Sequence, residues 1–292
     1  MTVREHATGS ARSGDVELFY RRFGRPGRTP VLIVHGLSYF SYDWIEPASR
    51  IASDREIVAM DMRGFGNSDC SPTRDYKLDT LSADVICLLD HLGWQKAVLM
   101  GHSFGGRVCL ATAGWRPERT AGLILVDFAP DIAPEGRRHT AERIGLQPDV
   151  FASVDAALAY HGHDNVPAAS PLRKRYEAFL KKSESGYVLR RDLAFRDSFK
   201  KALDTGQSAP VPAFLWPMLQ ELKVPALIIR GSESDMFAPG TLPKVRAVNP
   251  RVTALELQGS HDLAGDNPDG LVMAVRQFLE KNEDPLSVMG GS

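Results

Sequence analysis

Short runs of aliphatic residues recur along the chain, and most contain four consecutive apolar positions followed directly by a glycine or a polar residue. Continuous runs, rather than an alternation of apolar and polar positions, are typical of strands buried on both faces of a parallel sheet. The sequence therefore predicts strands within residues 31–34, 57–60, 97–100, 123–126, 226–229 and 252–257.

Helical patterns separate these runs. Leu81, Val85 and Leu88 fall on one helical face, and Gly93 supplies a helix stop. Another helix is predicted to begin at Pro268, because proline is favoured at the first helical position. Strands that alternate with helices predict an open α/β sheet with right-handed crossovers.

The alternation stops near Pro130 and resumes at residue 226. The sequence between these points is polar, has helical spacing and contains no strand run of the earlier kind. We therefore predict an α/β core made of residues 1–129 and 223–292, with a helical cap, residues 130–222, inserted between two strands of one sheet.

Composition narrows the functional classes. With 43% hydrophobic and 24% charged residues, the 292-residue chain has the composition of a globular protein. Its formal net charge of -1 gives no electrostatic basis for binding nucleic acid. We find no apolar run long enough to span a membrane and no signal-peptide pattern, and the three cysteines lack metal-binding or redox spacing. These features predict a cytoplasmic protein, with residues 284–292 as a frayed tail.

The candidate nucleophile is Ser103, in the motif G-H-S-F-G of residues 101–105. The motif begins where one predicted strand ends and continues into a helical pattern. A sharp strand-to-helix turn crowds the backbone, so glycine on both sides relieves the contacts and the serine hydroxyl is exposed at the carboxyl end of the sheet.

A serine hydroxyl needs a base, and the base needs an acid to orient it. His261 lies between the last predicted strand and the last predicted helix, on the same sheet edge as Ser103. Asp235 follows the strand at 226–229 and is the preferred acid. Asp127, which directly follows another strand, is the rival acid, and Glu233 is a weaker one.

Two backbone amides are predicted to form an oxyanion hole. One is the amide of Phe104, which follows the nucleophile at a helix start. The other is the amide of Leu37, in the loop after the first buried strand. The loop at residues 61–69 also follows a strand, but its two glycines favour a structural role.

Together these motifs resemble the α/β-hydrolase superfamily, in particular its capped serine enzymes. The resemblance covers roughly residues 16–282. It implies a mostly parallel sheet of eight strands with an antiparallel second strand, flanked by helices, and a helical cap after the sixth strand. The matching segments are 35–37, 61–66, 101–106, 230–235 and 259–261.

The dehalogenase and epoxide-hydrolase branches of the superfamily use aspartate where this chain has Ser103. The resemblance therefore favours a serine hydrolase that cleaves a carboxylic ester or lactone through an acyl-enzyme. The alternatives are a carbon–carbon bond hydrolase of the meta-cleavage-product type and, in a different class, a ligand receptor that retains the triad. A perhydrolase side activity is also compatible with the triad.

The expected partner is a small, apolar ester or lactone, and no cofactor or metal is expected. Aromatic residues of the predicted cap either line an apolar pocket or pack the cap onto the sheet. They include Tyr160, Tyr176, Phe179, Tyr187, Phe195, Phe199, Phe214 and Trp216.

Overall fold

The computed structural model of the protein describes residues 6–207 and 211–283, so the predicted tail at 284–292 lies outside the described residues. In the described chain before residue 130, six strands alternate with three α-helices. The strands are β1 (Ala7–Ser13), β2 (Val16–Phe23), β3 (Arg28–Val34), β4 (Arg55–Met60), β5 (Ala97–His102) and β6 (Thr120–Val126). The helices are α1 (Ile45–Ile51), α2 (Leu78–His91) and α3 (Phe104–Trp115), and short 3₁₀ helices lie at Ser41–Trp44 and Pro117–Arg119.

After β6 the chain builds a second layer, for which we keep the name cap (residues 130–222). Its helices are α4 (Pro134–Gly145), α5 (Val154–Tyr160), α6 (Pro171–Phe179), α7 (Leu193–Thr205) and α8 (Leu215–Glu221). It also contains the strands β7 (Val150–Phe151), β8 (Leu180–Ser183) and β9 (Gly186–Leu189). These strands pair antiparallel in the order β7-β9-β8.

The small cap sheet adds strands to the helical cap that the sequence predicts. Its strands are short, and those of the β8–β9 hairpin are largely half-buried or exposed, so they contain no continuous apolar run. Strand prediction by buried runs therefore had no pattern to detect here.

The remaining elements return to the central sheet. They are the strands β10 (Ala226–Gly231) and β11 (Val252–Leu257) and the helices α9 (Thr241–Val248), α10 (Leu263–Asp266) and α11 (Pro268–Lys281). In the described chain the central sheet has eight strands in the order β1-β2-β4-β3-β5-β6-β10-β11. Strand β2 runs antiparallel to both neighbours, β1 and β4, and the other pairings are parallel. The α/β fold, the eight strands and the antiparallel second strand are thus confirmed.

Helices cover both faces of the sheet, which explains the continuous apolar runs. Leu32 and Val34 of β3 pack in one hydrophobic cluster, with residues of α2, α3, α8 and α9. Val31 and Ile33, which point the other way, pack with residues of α1 and α11. Strands β1 and β2 instead alternate between buried and exposed positions, so no buried run marked them in the sequence. None of the described helices is both long and apolar enough to span a membrane.

Two buried side chains fix the loops at the carboxyl ends of β3 and β4. The His35 Nε2 atom accepts a hydrogen bond from the Met62 amide at 2.9 Å, and its Nδ1 atom donates to the Gly36 carbonyl at 2.7 Å. Asp61 accepts from the amides of Ser41 and Asn67 at 2.6 and 2.8 Å. These bonds support the structural role predicted for the loop at 61–69.

The close packing of α3 on β3 leaves no space for a side chain at Gly105. A Cβ atom built there would lie 2.2 Å from the Val34 carbonyl oxygen and 2.4 Å from that of His35. We expect Gly105→Ala to lower the free energy of unfolding by about 1–3 kcal/mol, because backbone atoms must move apart. Gly240→Ala is the matched control, since its Cβ position has no atom of a described residue within 4 Å apart from its own chain neighbours. Urea denaturation should separate the two variants, and equal stabilities would contradict this packing.

The buried His35 predicts a pH dependence of stability. Burial lowers the pKa of His35 to about 4, below the ordinary value of 6.5, and the bond to the Gly36 carbonyl only partly opposes this. The folded state therefore binds fewer protons than the unfolded state between pH 6.5 and pH 4. The free energy of unfolding should fall as the pH decreases through this window, by up to about 3 kcal/mol from this group.

The measurement is denaturant unfolding at pH 7 and pH 4 for the wild type, His35→Gln and the exposed-histidine control His163→Gln. Glutamine can accept and donate hydrogen bonds but does not titrate, so His35→Gln should lose less stability than the wild type on acidification. The control should follow the wild type. Identical losses in all three proteins would rule out His35 as the titrating group.

Candidate functional site

Ser103 occupies a strained turn between β5 and α3. Its φ of 52° and ψ of -118° lie outside the regions that non-glycine residues usually adopt. The turn closes only because its flanks are small: a Cβ atom at Gly101 would lie 2.4 Å from the Gly105 carbonyl oxygen. Strain of this kind persists where the surrounding structure fixes the residue, and it is concentrated at functional sites.

Strand register places Asp127 beside Ser103. His102 pairs with Val126 across β5 and β6, so the residues that follow them emerge at the same height on the sheet edge. The Ser103 amide donates to the Val126 carbonyl at 3.0 Å. Asp127 then leaves the strand with a positive φ of 45°.

His261 joins these two residues in one chain of hydrogen bonds. Its Nε2 atom lies 2.8 Å from Ser103 Oγ, and its Nδ1 atom lies 2.6 Å from Asp127 Oδ2. An ionised carboxylate can only accept, so Nδ1 carries the proton. In the neutral imidazole Nε2 is then unprotonated and faces the serine hydroxyl as a hydrogen-bond acceptor.

The Asp127 carboxylate is buried and accepts bonds from several donors. The Gly231 amide donates to Oδ1 at 2.8 Å, and Ser234 Oγ donates to Oδ2 at 2.5 Å. Ser234 Oγ itself accepts from the amides of Met236 and Phe237, both at 3.1 Å. The loop after β10, where the sequence placed the acid, therefore holds the acid of the neighbouring strand in position.

The prediction that Asp235 lies beside His261 is wrong, and the rival acid Asp127 occupies that place. Asp235 Oδ2 lies 2.8 Å from Nδ1 of His139, on cap helix α4. Glu233, the weaker alternative, accepts a bond from Gln258. The reason is chain position: Asp127 directly follows β6, whereas Asp235 lies four residues beyond the end of β10, where the loop has turned towards the cap.

A second histidine supports the loop of His261, and sequence reasoning did not assign it a role. His102 is buried, and its Nε2 atom donates to the His261 carbonyl at 2.9 Å. Burial holds the pKa of His102 well below its ordinary value, and neighbouring His261 lowers it further, so the ring stays neutral. The sequence feature that could have indicated a role for His102 was its position directly before Ser103.

The predicted oxyanion donors flank the serine. Leu37 and Phe104 both line the pocket above Ser103, and neither backbone amide has a hydrogen-bond acceptor among the described residues. The loop that carries Leu37 lies against the serine: a Cβ atom built at Gly36 would lie 3.0 Å from Ser103 Cβ.

The cap holds the loop of Leu37 from outside. Arg175 of α6 donates to the Ser38 carbonyl at 3.2 Å and to Asp43 at 2.5 Å. Ser38 has a positive φ of 65°, so its conformation depends on such restraints. The cap therefore contributes to the geometry of the loop as well as to the pocket wall.

A pocket of about 810 Å³ lies between the sheet edge and the cap. Ser103 and His261 are at its base, and Phe195 and Phe199 of cap helix α7 form part of its wall. Trp216, which the sequence also suggested for the wall, instead donates to Asp131 at 2.8 Å and is not a lining residue. Among the described residues, no group of three or more histidine, cysteine or acidic side chains is placed to bind a metal.

Comparisons with known proteins agree with this geometry. The "alpha/beta hydrolase fold" family matches residues 29–267. A crystal structure of E-2-(acetamidomethylene)succinate hydrolase superposes with a TM-score of 0.80 at 23% identity, covering 94% of this chain and 100% of that one. At this level of identity, the likeness shows the fold.

Curated relatives include hydrolases of different lengths. Esterase YbfF of Escherichia coli is 25% identical over 261 residues, which cover 86% of this chain and 93% of that protein. Mouse epoxide hydrolase 4 is 35% identical over 124 residues, 42% of this chain. This match covers only 34% of that relative's length. Because the family match at residues 29–267 includes the sheet edge, Ser103 and His261, the chain belongs to the α/β-hydrolase family.

Proposed function

We propose that this protein is a serine hydrolase that cleaves a carboxylic ester or lactone through an acyl-enzyme. The observation that carries the proposal is the chain of hydrogen bonds from Ser103 Oγ to His261 and on to Asp127. Such an arrangement has the geometry required for an activated serine, with a base and an orienting acid.

In the proposed reaction Ser103 Oγ attacks the carbonyl carbon of the substrate while His261 Nε2 accepts the hydroxyl proton. Asp127 keeps the other ring proton on Nδ1 and stabilises the imidazolium that forms. The alkoxide leaving group then takes the proton from Nε2, which leaves the acyl group on Ser103. Water, deprotonated by His261, releases the acid and restores the serine.

The amides of Leu37 and Phe104 are the proposed donors to the tetrahedral oxyanion. Their pocket-facing positions and their lack of an acceptor among the described residues support this role. Backbone donors that are already fixed need no reorganisation when negative charge develops on the carbonyl oxygen.

The relatives support ester hydrolysis over epoxide opening. The match to esterase YbfF extends over nearly the whole of that protein, whereas the match to epoxide hydrolase 4 is confined to a part of it. Ser103 also stands where the epoxide-hydrolase branch of the superfamily uses aspartate. The proposed bond is therefore a carboxylic ester or lactone.

Removing the serine hydroxyl tests the proposed function. Ser103→Ala should reduce kcat for p-nitrophenyl esters by about 10⁴-fold or more while the protein remains folded. A fluorophosphonate probe should label the wild type at Ser103 and leave the variant unlabelled. Near-normal ester hydrolysis by a folded Ser103→Ala protein, with wild-type circular dichroism, would overturn the mechanism.

Two matched substitutions test the acid. Asp127→Asn should lower kcat by about 10³–10⁴-fold, because an asparagine amide facing Nδ1 would favour the wrong tautomer of His261. Asp235→Asn removes the same charge but only breaks a contact with His139, so kcat should change by less than about threefold. The comparison uses kcat for one ester in both variants, with folding checked by thermal unfolding. A larger loss in Asp235→Asn than in Asp127→Asn would contradict this assignment and identify Asp235 as the acid.

A further inference from the structure

Positive charge dominates the wall of the pocket above Ser103. Two lining residues, Asp127 and Asp131, are acidic, and both already have partners: Asp127 contacts His261, and Asp131 contacts Trp216 and lies 3.7 Å from Lys244. Six of the described lining residues are basic. They are Arg74, Lys77, Arg107, Arg137, Arg143 and Lys201.

Most of these basic side chains form no ion pair within the part of the chain that the structure describes. Arg74 lies 3.7 Å from Asp197, but the other five form no ion pair with any described residue. Several cap arginines that do not line the pocket, Arg138, Arg173 and Arg196, each pair with a carboxylate. A cleft lined by unbalanced charge of one sign concentrates ligands of the opposite sign.

Arg107 is the most constrained of these residues. It lies four residues after Ser103 on helix α3, its guanidinium lies over the Phe104 ring at 5.6 Å from the ring centre, and its buried Nε atom has no acceptor among the described residues. Burial lowers the pKa of Arg107, and the positive charge of Arg137 lowers it further. Leaving a charged donor buried and unpaired beside a like charge is unfavourable, and an anion bound between the two would relieve both costs.

We propose that the substrate of this hydrolase carries a carboxylate in addition to the bond that is cleaved, and that Arg107 and Arg137 bind this carboxylate. The inference rests on the proposed function and specifies its substrate class. Planar guanidinium groups match the geometry of a carboxylate and hydrogen-bond to it strongly. The apolar part of the same wall, which includes Phe128, Ile132 and Met236, accommodates the carbon chain between the two ends. This proposed anionic substrate differs from the small, apolar ester or lactone expected from the sequence.

Two pairs of esters test this substrate class. 4-Nitrophenyl hydrogen glutarate is compared with 4-nitrophenyl methyl glutarate, which hides the acyl-side carboxylate as a methyl ester. 4-Acetoxybenzoate is compared with methyl 4-acetoxybenzoate, which does the same on the leaving-group side. We expect kcat/KM to favour the charged member of at least one pair by about tenfold or more. Parallel reactions with Ser103→Ala correct for spontaneous hydrolysis.

Charge-removing variants locate the carboxylate. In Arg107→Gln and in Arg137→Gln, the ratio of kcat/KM between the charged and the neutral ester should fall towards one. Arg138→Gln is the matched control, because Arg138 is the next residue on the same helix, forms an ion pair with Glu142 and does not line the pocket. This control should keep the wild-type ratio.

The outcomes separate this inference from the proposed function. If the wild type cleaves the neutral ester at least as well as the charged one in both pairs, the inference fails while serine hydrolysis stands. If the preference survives in both Arg107→Gln and Arg137→Gln, or is lost equally in Arg138→Gln, the assignment to these two arginines fails. If no ester is cleaved and the fluorophosphonate probe does not label Ser103, the proposed function fails, and this inference fails with it.

Discussion

The hydrogen bond between His261 and Asp127 is the contact on which the site depends. It joins residues 134 positions apart in the chain and lies partly buried at the carboxyl edge of the sheet. The bond fixes which ring nitrogen faces Ser103, and a carboxylate buried without such donors would be costly. The surrounding structure serves it: Gly231 and Ser234 donate to Asp127, and His102 holds the backbone of His261.

Strand register brings the residues of this contact to one edge of the sheet. Strands β5, β6 and β10 are neighbours in the sheet. Ser103, Asp127 and the donor amide of Gly231 therefore lie at similar levels at its carboxyl edge. The cap is inserted in the sequence between β6 and β10, yet these two strands still pair directly. The insertion therefore leaves intact the strand pairing that positions Ser103 and Asp127.

The cap supplies what the sheet edge lacks. Arg175 restrains the loop that carries Leu37, and helices α4 and α7 close the pocket over Ser103. Helix α4 also separates its charges: Arg138 is paired with Glu142 outside the pocket, whereas Arg137 lines it. The chain as a whole has a formal net charge of only -1, so the positive pocket arises from the placement of charges, not from their number.

The sequence by itself determined the parts of this protein that depend on local pattern. Buried strands show as continuous apolar runs, and the turn at Ser103 needs glycines at fixed neighbouring positions, so the α/β core, the serine and the position of His261 could all be predicted.

The tertiary structure decided what depends on contacts between distant segments. Asp127 and Asp235 both follow strands, and only the pairing of β6 with β5 brings one of them to His261. The half-exposed cap strands carry no buried run, and the charge of the pocket depends on which basic side chains of the core, α4 and α7 are brought to its wall. Neither property is periodic along the chain, because both arise when separate elements pack together.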